Sequence, residues 1–221
     1  MTEDRLYEQL REKLGDDFAP VKPLIASWKR ALWIFPISLL YMGAILTIFH
    51  IRPDHAILSP MVLWGFLILQ VLACYLVLAA SLQTSIPGAA KGPLVLAGVA
   101  LTGPAAFLIA SWIIFRVSPN WPSPGQEWKM GMACMAIIGI LGILALLFGF
   151  FLVRSGLPFR ARTTGLLLGL GNGLAVEAVW RLHCPFSSWD HILFFHGGAV
   201  IVLMVAGMAI GRLWERKALR R

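Results

Sequence analysis

Runs of roughly 20 apolar residues recur six times along this chain, at 31–50, 61–82, 93–115, 131–153, 163–182 and 191–211. About 20 residues is the length an α-helix needs to cross a bilayer core at ~1.5 Å per residue. Lipid offers no water to backbone N–H and C=O groups, so each run is predicted to be a continuous helix. The expected fold is therefore all-α: a polytopic membrane protein with six transmembrane helices. Composition agrees, because only 14% of the residues are charged against about 25% in soluble domains. Nothing before Ala31 reads as a signal peptide, so the N-terminal segment is expected to stay in place.

The distribution of Lys and Arg sets the orientation. With the N-terminus cytoplasmic, 15 of the 19 basic residues fall inside, and only Arg52, Arg116, Lys129 and Arg181 fall outside. Such a bias places both termini in the cytoplasm. The formal net charge of +8 then reflects topology and anionic lipid at the inner leaflet. Direct nucleic-acid binding is not expected, since no basic stripe interleaved with aromatics lies outside the membrane.

Three parts follow: a cytoplasmic helix and linker over 1–30, the six-helix domain over 31–212, and a basic tail over 213–221. In "TEDRLYEQLREKL", Thr2 can cap a short amphipathic helix and Glu3 and Asp4 suit its positive end. Leu6, Leu10 and Leu14, with Tyr7 beside them, share one face at i, i+4, i+8. That stripe needs a cover, either membrane lipid or a groove in a soluble partner. Pro20 and Pro23 keep the following linker extended. Pro36 and Pro104 are expected to kink the first and third spans. Gly165, Gly169 and Gly173, and likewise Gly207 and Gly211, would let another helix approach closely.

Polar chemistry concentrates at "RLHCPFSSWDHILFFHGG", residues 181–198. Just before it, Glu177 lies within a span, where a carboxylate is a functional candidate by default. Arg181 is one turn away at i+4, so a structural ion pair and a proton or ion path are both open. His183, Cys184, Asp190, His191 and His196 are metal-ligand types. The spacing argues against a metal site: on an α-helix, His191 and His196 at i, i+5 do not share a face, and no CxxC or HExxH is present. No cofactor is implied. Ser187 and Asp190 fit the spacing of a capping box.

Of three cysteines, Cys74 lies deep in the second run and reads as a small core side chain. Cys134 falls within about one turn of the outer end of the fourth run, and Cys184 at the outer end of the fifth. Two thiols on an oxidising side are a staple, a switch, or unrelated neighbours.

With "FAPVKPL" after a short N-terminal helix, "WKMGMACM" opening the fourth run, and "LHCP" and "FFHGGAV" joining the last two, the chain resembles the NrsF family. These are anti-sigma factors of the bacterial inner membrane. The resemblance implies a non-enzymatic regulator that sequesters an extracytoplasmic-function (ECF) sigma factor in the cytoplasm. It implies release under oxidative or metal stress, with Cys134 and Cys184 as the family's cysteine pair. Leu6, Tyr7, Leu10, Leu14, Pro20 and Pro23 are then the expected partner-binding residues, and Glu177, Arg181, His183, Asp190, His191 and His196 a supporting polar cluster. The alternative is a small ion or metal transporter or channel using Glu177, Arg181 and the histidines.

Overall fold

The computed structural model describes residues 5, 8, 12, 24–86, 88–89, 91–118, 124–154 and 160–218. Six helices account for most of them: α1 Ser27–Ile48, α2 Pro60–Thr84, α3 Pro93–Val117, α4 Gln126–Val153, α5 Ala161–Trp180 and α6 Trp189–Lys217. No strand occurs among the described residues. Helix starts follow local chemistry. Pro60 and Pro93 occupy first turns, where the missing N–H costs nothing, and the Ser59 hydroxyl accepts from the Val62 N–H at 3.3 Å.

Five of the six, all but α5, are long and apolar enough to cross a membrane. Their outward faces carry exposed Leu39, Leu72, Ile140, Leu147 and Ile201, the surface a membrane protein offers to lipid. Helix α5 differs because it is the centre of the bundle. It packs against α1, α2, α3, α4 and α6, and sixteen of its twenty residues are buried. Enclosed by protein, it can carry Asn172 and Glu177 without exposing them to hydrocarbon.

The small-residue faces of α5 and α6 meet each other. The position a Cβ would take on Gly165 is filled by the Gly207 carbonyl, and that on Gly211 by the Ala161 carbonyl. Any side chain there would force the two backbones apart.

Proline acts differently in the two helices where a kink is expected. In α1 the helix is interrupted at Leu32–Trp33, in the turn before Pro36, whose nitrogen cannot bond the Leu32 carbonyl. In α3, Pro104 sits within one continuous helix. Arg116 and Val117 close α3 and Gln126–Lys129 open α4, so the connection between them is shorter than the spacing of the runs 93–115 and 131–153 suggests. Helix α4 begins before the fourth apolar run, so Cys134 lies about two turns into the helix.

Of the N-terminal segment, Arg5, Glu8 and Glu12 are helical and exposed. Leu6, Tyr7, Leu10, Leu14, Pro20 and Pro23 lie outside the described residues.

Candidate functional site

Helix α6 does not begin as an ordinary α-helix. Trp189–His191 form one α turn, Ile192–Gly197 a π turn, and α geometry resumes at Gly198. In a π turn the backbone joins residues i and i+5, so side chains five apart come onto one face. This overturns the spacing argument above: His191 and His196 face each other with ring centroids 5.3 Å apart.

Both rings are fully buried, and they meet the two thiols. Cys184 Sγ lies 3.4 Å from His191 Nε2 and 3.8 Å from Cys134 Sγ. One potential ligand atom from each of Cys134, Cys184, His191 and His196 falls within 4.8 Å of the other three. Around the thiols is an apolar cluster that includes Ile138, Val176, Trp180 and Phe186.

A glycine makes the approach of α4 to α6 possible. The space a Cβ on Gly131 would need is taken by the ring of Phe195. That ring in turn lies 5.4 Å from His191. Gly131 precedes Cys134 by three residues, so the same face of α4 admits the aromatic wedge and presents the thiol.

Glu177 anchors the inner side. Its Oε1 accepts from Arg181 Nε at 2.9 Å and faces His196 Nδ1 at 3.2 Å, while Oε2 accepts from Gln70 Nε2 at 2.5 Å. Arg181 Nη1 donates to Ser111 Oγ at 2.8 Å, and its guanidinium lies 5.0 Å from the Phe107 ring centre. The expected i, i+4 ion pair is therefore present, and helices α2, α3 and α6 complete it. His196 belongs to both networks, holding the carboxylate with Nδ1 and leaving Nε2 buried without a protein partner.

A second buried ion pair closes the same end of the bundle. Arg52 donates from Nε to Asp54 Oδ1 at 2.5 Å and from Nη2 to Ser187 Oγ at 2.9 Å and the Pro185 carbonyl at 3.2 Å. Ser118 Oγ donates to Asp54 Oδ2 at 2.7 Å. Burial, the largest single influence, pushes the Asp54 carboxyl up, but Arg52 and Ser118 together hold it below the usual range. This clamp ties the connection before α2 and the end of α3 to the Cys184 segment.

The remaining polar residues are elsewhere. His183 packs on Phe49 and Trp180, with Nδ1 3.1 Å from the His50 carbonyl. Asp190 is exposed. The expected capping box is not formed: Ser187 serves Arg52, the N-cap is Ser188 without a side-chain cap bond, and the Ser188 hydroxyl donates to Glu127 Oε1 at 2.9 Å.

Sequence reading missed Arg52, Asp54, Gln70 and Ser111. Gln70 alone carried a signal, as an amide within an apolar run; the others read as loop charge or an ordinary small polar residue.

The family model described as "NrsF: Negative regulator of sigma F" matches residues 14–216. No curated protein matches the chain, and no solved structure does. With that match spanning most of its length, this membrane chain belongs to the NrsF family of negative regulators of sigma F.

Proposed function

We propose that this protein is an inner-membrane anti-sigma factor that holds an ECF-type sigma factor at the cytoplasmic face and releases it when Cys134 and Cys184 respond to oxidant or a soft metal. The observation that carries the reading is the meeting of those thiols, 3.8 Å apart and buried, at one end of the bundle. The basic-residue bias supports six spans with both termini inside, which puts that end on the outer, oxidising side.

The response requires a change in packing. A peroxide-type oxidant would take two electrons and two protons from the thiols, be reduced itself, and leave an S–S bond of about 2.05 Å. The sulfurs stand 3.8 Å apart, so the two side chains must swing together, and their neighbours on α4 and the 181–188 segment repack around the new bond. Helix α5 touches every other helix, which makes it the natural carrier of that shift to the cytoplasmic side. A hundredfold drop in partner affinity needs two packings that differ by about 2.7 kcal/mol in their hold on the partner.

On the inner side, segment 1–30 is the partner-binding part, with Leu6, Tyr7, Leu10 and Leu14 as the contact stripe and Pro20 and Pro23 setting the linker. Connections 83–92 and 154–162 and the tail at 212–221 would contribute to the same binding surface. A transporter is less well supported, because both Glu177 oxygens are committed to Gln70, Arg181 and His196. Co-purification from native membranes in mild detergent tests the reading. Deleting residues 1–19 should abolish recovery of a sigma factor; undiminished recovery would refute the binding assignment.

A further inference from the structure

We propose that Cys134, Cys184, His191 and His196 form a tetrahedral site for one zinc-class divalent d10 ion, with Glu177 orienting His196 from behind. This deepens the sensor reading, on which its biological role rests; the binding itself is measurable without any partner.

The two shortest distances match such an ion, and the widest separation, up to 4.8 Å, would close by about 1 Å on binding. Metal–sulfur bonds of about 2.3 Å at tetrahedral angles place two sulfurs about 3.8 Å apart, and a nitrogen at about 2.0–2.1 Å falls about 3.5 Å from each sulfur. The thiols are 3.8 Å apart, and Cys184 Sγ is 3.4 Å from His191 Nε2. All four atoms are mutually within 4.8 Å.

The surroundings fit as well. Buried polar atoms in native proteins have partners, yet His196 Nε2 has none from the protein. With its proton on Nδ1 toward Glu177 Oε1, 3.2 Å away, the ring would present the Nε2 lone pair to the thiols. A carboxylate behind a ligating histidine is the usual arrangement for fixing its tautomer. Charge points to a divalent ion. Two thiolates and one divalent cation sum to zero, the balance an apolar pocket tolerates best. The neighbouring Arg52 and Arg181 are already neutralised by Asp54 and Glu177. A groove lined by Glu127, Asp190, Trp128 and Phe195 brings two carboxylates to the surface above the site, with Phe195 reaching the His191 ring.

Both stimuli act on the same two sulfurs: an ion binds them, and oxidation removes them as ligands. Hydrogen peroxide that takes two electrons from the bound thiolates and two protons from solvent leaves them joined as a disulfide and becomes two molecules of water. Both sulfur ligands are then lost and the ion is released.

Reduced full-length protein in detergent, stripped with a chelator, should bind one Co2+ per chain. Tetrahedral d–d absorption and a thiolate-to-cobalt charge-transfer band should appear, and added Zn2+ should bleach both. Zinc-edge absorption of the wild-type protein should report two sulfur and two nitrogen neighbours. Glu177→Gln keeps all four ligands and should weaken Zn2+ roughly 10–100-fold, whereas His183→Ala, outside the site, should leave it unchanged. Absent or octahedral cobalt binding by folded wild type, or a zinc shell without sulfur, overturns the proposal. The sensor reading would survive that result if the thiols still governed partner release. Conversely, a wild-type metal site with cysteine-independent release would leave the site standing and end the sensor reading.

Discussion

His196 Nδ1 lies 3.2 Å from Glu177 Oε1, and the same ring faces the Cys134–Cys184 pair. A change at the thiols therefore bears directly on a buried carboxylate that also holds Arg181 and Gln70. Through those partners it touches α2, α3 and α5 together, which is how an event at one end can alter the packing of the bundle.

Glu177→Leu should strand the Arg181 guanidinium in a buried site. Removing one partner of such a pair costs about 3–5 kcal/mol. The double variant Glu177→Leu/Arg181→Met should recover most of that loss. Thermal unfolding in one detergent measures all three proteins, and a double variant no better than the single one would contradict the pairing.

This ion pair was legible in the sequence from i, i+4 spacing alone, as were five of the six apolar runs and the glycine faces of α5 and α6. Local periodicity carries those features. The histidine pair was not legible, because the inference assumed 3.6 residues per turn, whereas the π turn at Ile192–Gly197 brings residues five apart onto one face. Arg52 and Asp54 were missed for a related reason. They lie two positions apart in a connection, and only the return of Ser118 and Ser187 to the same place makes them a clamp. The weak apolarity of α5 makes sense only once its five neighbours are in place.

Gly131→Ala should drive the Phe195 ring out of its seat and separate α4 from the start of α6. Overpacking of this kind costs about 1–3 kcal/mol. Oxidant-driven crosslinking of Cys134 to Cys184 should slow as well. Mass spectrometry of the linked peptides against time reads the effect, and an unchanged rate would show that Gly131 does not set the approach.

The Asp54 clamp predicts a specific pH dependence. Its carboxyl is held below the usual range, so its stabilisation is fully present above the unfolded value of about 3.9 and is lost as pH falls through the lower folded value. Asp54→Asn should destabilise the protein by about 3–5 kcal/mol at neutral pH. The gap to wild type should stay constant down to about pH 5 and narrow below about pH 4. Unfolding temperatures across that range test it, and a gap that widens in acid would reverse the assigned sign.

The most direct measurement follows partner release from membranes carrying either the wild-type chain or Cys134→Ser/Cys184→Ser. Both proteins should recover a sigma factor from unstressed cells. After oxidant, partner affinity should fall by about a hundredfold for wild type, the ~2.7 kcal/mol change in hold considered above, and recovery should drop with it, while the double variant stays unchanged. Equal loss from both proteins would contradict the thiol pair as the sensor.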